Sequence, residues 1–172
     1  MKTGAIGIRR AVRSDARAIA EVHDAAWRQA YRGILPGTEL ERMIARRGPV
    51  WWDKAIRQRV SILVLEHGDA AGGYVTFGQS RARALPFRGE IYELYLKPEY
   101  QGLGFGRLLF DAAKEDLATQ GRRSIMVWAL ADNDTACRFY ERLGGLKVGR
   151  SVDRIGGASL DKVAFGWPAP RA

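Results

Sequence analysis

The chain contains one cysteine, Cys137, and two histidines in 172 residues. A single cysteine excludes an intramolecular disulfide. Cys137 sits on a helical stretch among apolar neighbours with no histidine near it in sequence, so it reads as a buried structural thiol rather than a nucleophile. No zinc-ligand spacing, helix-turn-helix or RNA-binding signature is present, and no metal site is expected. No apolar run approaches the ~20 residues needed to span a bilayer. The segment Met1–Arg10 lacks the uninterrupted apolar core of a secretory leader, so a cytoplasmic protein is expected. Internal repeats, low-complexity tracts and interdomain linkers are also missing.

What is present is ordinary in bulk. A hydrophobic fraction of 47% with 27% charged residues is typical of a globular protein. A mass of 19.1 kDa suits one domain, residues 1–172, with a sizeable core. Lys and Arg number 28 against 19 acids, for a net charge of +9. Such a balance can serve nucleic acid, an anionic membrane or a polyanionic small ligand. The arginines are scattered (Arg9, Arg10, Arg42, Arg81 and Arg122 among them), which favours a solvated basic surface over a nucleic-acid stripe.

The punctuation divides the chain legibly. Ile6–Val12 reads as a strand, and Ser14 as the cap of a helix with apolar Ile19, Val22, Ala26 and Ala30 at helical spacing. Gly33–Gly37 breaks that helix, Thr38 and Glu41 form a capping box for a second, and Gly48-Pro49 precedes a third through Trp51 and Trp52. Val60–Glu66 and Ala71–Gly78 read as antiparallel strands around a turn at Gly68. A loop, Arg81–Gly89, leads to a strand ending at Pro98. Val148–Asp153 and Leu160–Trp167 form a closing hairpin across Gly156-Gly157. Hairpins before the centre and helical crossovers after it imply an α/β fold with a mixed sheet and helices on both sides.

The most informative stretch is Glu90–Arg107. A strand rich in β-branched and aromatic residues runs into Gly102, Gly104 and Gly106, which open a long apolar-periodic helix. Glycine permits close backbone approach, and the first amides of a helix lack internal partners. Together with the helix dipole they make an anion site suited to a pyrophosphate. Arg107 stands where a dinucleotide fingerprint would need its last glycine, and no Gly-Lys-Ser/Thr follows as a P-loop requires. Downstream, Ser124–Asn133 reads as a strand entering a helix, Asp134–Leu143, closed by Gly144-Gly145.

Taken together, Gln101-x-x-Gly104-x-Gly106 and Asn133-x-x-Ala136-x-x-Phe139-Tyr140-Glu-Arg-Leu-Gly144 resemble the GNAT superfamily, the acyl-CoA-dependent N-acetyltransferases. The similarity in elements spans Ile6 to Trp167. It implies a central mixed, mostly antiparallel sheet of about seven strands, with acetyl-CoA as co-substrate and no metal. Pantetheine would lie against the fourth strand, on backbone groups of Leu94, Tyr95 and Leu96. The pyrophosphate would rest on amides of Gly102, Leu103, Gly104, Phe105, Gly106 and Arg107, assisted by the Gln101 and Arg107 side chains. Asn133 matches a position that helps hold the pantetheine arm, though it also reads as a helix N-cap.

The same resemblance points to the chemistry. Glu90 matches the glutamate base of the histone-acetylating members, and Glu90 and Tyr92 match the histidines of the arylalkylamine enzymes. Strand alternation puts Glu90 and Tyr92 on one face and Glu93 on the other, where it reads as a partner for a basic side chain. In the ribosomal-protein acetyltransferases the base lies on the next strand, and here that position is Trp128. Tyr140 matches the tyrosine that protonates the departing thiolate. Trp27, Tyr31 and Tyr92 are candidates to line the site of a small-molecule or peptide amine, with Trp51 and Trp52 as further wall residues. A homodimer is allowed for, whereas membrane and nucleic-acid partners are not expected. The alternatives are a non-catalytic acyl-CoA sensor and, on charge alone, a nucleic-acid-binding protein.

Overall fold

The computed structural model describes residues 4–172; Met1–Thr3, which open the segment read for a leader, lie outside the described residues. In chain order the elements are β1 (Ile6–Arg10), α1 (Ala16–Tyr31), α2 (Gly37–Arg46), α3 (Pro49–Arg57), β2 (Ser61–His67) and β3 (Ala70–Gln79). They continue with β4 (Gly89–Leu96), α4 (Phe105–Thr119), β5 (Ile125–Leu130), α5 (Asp134–Arg142), β6 (Leu146–Ile155) and β7 (Ala158–Trp167). All seven strands join one sheet in the order β1-β2-β3-β4-β5-β7-β6. The sheet is mixed, mostly antiparallel and flanked by helices, as expected. β1 and β2, β5 and β7, and β6 and β7 pair antiparallel, whereas β4 and β5 pair parallel. Among the described residues no helix is long and apolar enough to cross a membrane.

Two compact units make up the chain. The first takes the described part of Met1–Thr76 with Glu93–Ala113, and the second takes Phe77–Tyr92 with Lys114–Ala172. In the first, Ile19 and Val22 of α1 join Trp52 and Ala55 of α3 against Ile62 and Val64 of β2 and Tyr74 of β3. The spacing 19, 22 is one helical face, which is why α1 forms here and turns that face inward. In the second unit, Ile125, Met126 and Val127 of β5 are buried, as are Ala164, Phe165 and Trp167 of β7. A continuous apolar run like that of β5 marks a strand covered on both faces.

Two helix starts differ from the sequence expectation. Ser14 does not cap α1; it lies in a single 3₁₀ turn, Arg13–Asp15. Asp15 does the local work instead, accepting from Val12 N–H at 2.7 Å and from the Arg9 guanidinium at 2.8 and 3.0 Å. Burial alone would raise the Asp15 pKa, but the Arg9 and Val12 hydrogen bonds outweigh it and hold the carboxyl below its usual value. Nor do Thr38 and Glu41 form a capping box. α2 begins one residue earlier, after Pro36, and Glu41 pairs with Arg28 of α1.

Two glycines of β3 set the spacing beside the end of β4. A Cβ on Gly72 would meet the Tyr100 ring at 2.8 Å, and one on Gly73 would meet the Tyr95 carbonyl oxygen at 2.8 Å and the Leu96 side chain. Tyr100 can move; a strand carbonyl cannot without loss of its ladder. Gly73→Ala should therefore destabilise the protein by about 1–3 kcal/mol, the usual cost of overpacking. Urea unfolding checks this, and an unchanged midpoint would show that the strands part freely here.

Candidate active site

The start of α4 takes the conformation the three glycines imply. Gly102 and Gly104 sit at φ of +74° and +84°, where side chains are disfavoured. Both are exposed, and nothing lies within 4 Å of where a Cβ would project from either. Leu108 N–H closes the first turn on Gly104 O, so the amides before it on α4 have no carbonyl within the helix to bond. The Arg107 side chain is exposed and only loosely paired with Asp111, at 3.8 Å. Gln101 behaves differently from expectation: its side-chain amide donates to Leu96 O at 3.1 Å and to Gln29 Oε1 at 3.2 Å. It ties the end of β4 to α1 and is turned to protein rather than left free for a phosphate.

The parallel ladder of β4 on β5 is short. It comprises Gly89, Glu90 and Ile91 against Ile125, Met126 and Val127. β4 runs on through Leu94, Tyr95 and Leu96 after its last partner on β5.

The carboxylates of β4 fall on opposite faces, as the alternation predicts. Glu90 is 2% exposed, and its oxygens accept from Arg81 N–H at 2.9 Å and from the Arg81 guanidinium at 2.8 Å. Arg81 also lies over the Tyr92 ring, 4.1 Å from its centroid, and Tyr92 donates its hydroxyl to Gln79 O. Glu90 is thus paired but buried, not a solvated strand-edge group. Glu93 has the basic partner expected of it: Arg47 donates to Oε1, and Tyr74 donates to Oε2 at 2.8 Å. Burial first, then Glu93, pushes the Tyr74 hydroxyl well above the ordinary tyrosine pKa.

Around Glu93 the first unit builds an aromatic cluster. The Arg47 guanidinium carbon stands 3.9 Å from the Trp51 ring centroid and 4.7 Å from that of Trp52, distances at which cation–π attraction operates. His23 packs at 4.9 Å from Trp27 and 5.9 Å from Trp52, and Trp27 at 4.8 Å from Tyr31. Trp27 and Tyr31 therefore pack against each other; Tyr92 belongs to the second unit, with Arg81. His23, Trp27 and Trp52 have no side-chain hydrogen bond among the described residues, and neither does Arg47 Nε. An unmet buried polar group costs about 1–3 kcal/mol, so several gathered in one place need a reason. Sequence reasoning missed His23, Arg47 and Tyr74. Arg47 is one of many arginines, and its partner Glu93 lies 46 positions away.

In the second unit Asn133 caps α5, accepting from Ala136 N–H at 3.1 Å. Tyr140 is buried, with its ring 5.8 Å from Phe165 and 6.1 Å from Trp167. Burial raises its hydroxyl pKa above the usual value, with Cys137 adding to the shift. Cys137 is half-buried and lies 3.5 Å from Leu130 O. Burial raises its thiol pKa, as suits a structural cysteine. A separate hollow of about 520 Å³, lined by Cys137, Glu141, Lys147 and Lys162 among others, contains none of the expected site residues.

A family model described as "Acetyltransferase (GNAT) family" matches residues 19–145. The uncharacterised N-acetyltransferase YuaI of Bacillus subtilis is 30% identical over 163 residues, 95% of this chain and 93% of that protein. A mycothiol acetyltransferase of Paenarthrobacter aurescens is 32% identical over 113 residues, 66% of this chain but 33% of that longer protein. The PaiA N-acetyltransferase of Thermoplasma acidophilum, solved with coenzyme A, superposes with a TM-score of 0.72. It shares 20% identity over 95% of this chain and 99% of that one.

The buried histidine gives the first unit a pH signature. Desolvation, aided by the Arg47 charge, lowers the His23 pKa from 6.5 to about 3. The folded state holds His23 neutral while the unfolded chain protonates it. Stability is therefore full above pH 6.5 and declines as pH falls toward 3, by up to about 1.4 kcal/mol per unit. Denaturation at pH 7 and about pH 5, above the carboxylate range, should show the loss, and His23→Leu should flatten it. Equal slopes in both proteins would mean that His23 is solvated.

Proposed function

The chain belongs to the GNAT family of acetyltransferases, and from that premise we propose that it transfers an acetyl group from acetyl-CoA to a primary amine. The transfer is by direct attack in a ternary complex, and residues 1–172 are read as one acetyltransferase domain. The observation that carries the reading is the start of α4. Exposed glycines at positive φ and amides without helical partners leave room and donors for a pyrophosphate. Gly102, Leu103, Gly104, Phe105, Gly106 and Arg107 would hold it, and the backbone of Leu94, Tyr95 and Leu96 would hold the pantetheine amides. Asn133 Oδ1 is spent on its cap, which leaves the amide nitrogen to donate. Bound there, acetyl-CoA supplies an activated thioester carbonyl.

An alkylammonium has a pKa near ~10, so the amine must lose a proton before it attacks. Glu90 is the proposed base. Its oxygens hold Arg81, but a carboxylate has about four acceptor directions, so a water on a remaining one can relay the proton. Tyr140 is the proposed acid: its raised pKa keeps the hydroxyl protonated, and it donates to the departing thiolate. Acid help to a thiol leaving group with a pKa near ~8.5 is worth at most about 10²–10⁴-fold.

Acetyl-CoA should raise the melting temperature of the wild type. Gly104→Val, which forces a branched side chain into φ of +84° beside the amides, should lose that shift. Equal stabilisation of the variant would remove the proposed phosphate site. Tyr140→Phe should lower kcat at nearly unchanged acetyl-CoA affinity. In Glu90→Gln the low-pH limb of the rate profile should vanish, with partial recovery at high pH, where free amine forms unaided. A wild-type profile in Glu90→Gln would assign the proton transfer elsewhere.

A further inference from the structure

Glu90, 2% exposed, is the most buried carboxylate among the described residues. The Arg81 side chain that meets it is 67% exposed. A carboxyl group taken out of water tends to hold its proton, and an opposite charge within hydrogen-bond reach reverses that tendency. Arg81 supplies that charge and a second donor besides. Its backbone N–H donates to Oε1 at 2.9 Å and its Nη2 to Oε2 at 2.8 Å. With one donor on each oxygen the carboxylate is held against turning about its last torsion, and each oxygen keeps one further acceptor direction.

An exposed arginine loses side-chain entropy when it is kept in one geometry, so something must hold it. The Tyr92 ring does so, with the Arg81 guanidinium carbon 4.1 Å from its centroid, within cation–π range. Tyr92 is fixed in turn. Its hydroxyl donates to Gln79 O, and it lies across Gly78, where a Cβ would stand 2.7 Å from the hydroxyl oxygen. Arg122 also acts on Tyr92, whereas Met126, opposite Glu90 on β5, brings no charge. Gly78, Tyr92 and Arg81 therefore converge on one carboxylate. Resting on the proposed role of Glu90 as base, we infer that Arg81 is its positioning residue. It keeps the buried carboxylate ionised and oriented for proton transfer, and the Tyr92 face keeps Arg81 in place. Arg81 acts through Glu90 and touches no reacting atom.

The test reads the ionisation of Glu90 directly. Glutamate enriched in carbon-13 at the side-chain carboxyl shifts its NMR signal on ionisation, and the signal lost in Glu90→Gln identifies Glu90. In Arg81→Met that signal should take up its proton at a pH higher than in the wild type by about one unit, a tenfold change in proton affinity. Arg81→Lys, which keeps the charge, should restore most of the wild-type titration, and Tyr92→Leu should move it part of the way. If Arg81→Met fails to fold, Arg81→Gln, which keeps a polar arm and the same backbone donor, should show the same displacement. An unchanged titration in the neutral variant would overturn the inference. The second arm is the rate, with acetyl-CoA and butylamine and with free thiol as the readout. Arg81→Met should lower kcat at pH 7 by about tenfold and move the low-pH limb upward, while the acetyl-CoA melting shift persists. Added to Glu90→Gln it should cost nothing more, because a positioning residue acts only through the group it positions. A full further loss in that background would overturn the inference. A wild-type rate profile in Glu90→Gln would overturn the base assignment and this inference with it. A changed profile there with none in Arg81→Met would overturn this inference alone.

Discussion

The parallel pairing of β4 with β5 is the constraint on which the rest of the architecture turns. Two parallel neighbours cannot be joined by a tight turn; the chain must return to the end from which it started, through a crossover long enough for a helix. α4 is that crossover, so its N-terminus has to lie where β4 ends. The glycines at 102 and 104 are the geometric means of making that corner, with φ of +74° and +84°. Helix amides without partners are thereby brought to the carboxyl end of a strand, the place where α/β sheets ordinarily take ligands. Among the described residues three pairs hold the two strands in register. Beyond Ile91, β4 continues through Leu96 with no further partner on β5 in that register.

Around this frame several arginines hold definite acids. Arg9 holds Asp15 and Glu66, Arg28 holds Asp24 and Glu41, Arg47 holds Glu93, and Arg81 holds Glu90. The exposed pairs are worth little, about 0–1 kcal/mol each. Glu90 is different, because a carboxylate only 2% exposed could not remain without its partner at small cost. The positive balance of the chain is thus dispersed among many local tasks, which agrees with the scattered placing of arginine along the sequence.

Much of the frame was legible because it depends on near neighbours in sequence. The glycine turn, the Asn133 cap and the opposite facing of Glu90 and Glu93 follow from local geometry, and each is found where the spacing put it. The helix starts at Ser14 and Thr38 differ because side chains nearby take other partners. Asp15 serves Arg9 across the turn, and Glu41 is drawn to Arg28 rather than back to its own helix end. Arg47 with Glu93 and Tyr74 is the extreme case. Three elements meet there, and no periodicity signals which arginine of twenty-odd positions on a basic chain will be taken inside.

The glycine pair of β3 has an evolutionary consequence. At Gly73 a strand carbonyl occupies the space of the first side-chain atom, and at Gly72 the Tyr100 ring does, so a change at either is coupled to its neighbour. A gain of one methyl group there needs a simultaneous change in Tyr100 or in the path of β4, and contacting residues are where mutational effects cease to add. Sequence change can cross this corner only in coupled steps. Exposed positions on α1 to α3 that make no such contact are not so confined: Val50, 84% exposed, can change alone, so new acceptor preferences have an easier route through such positions than through Gly73.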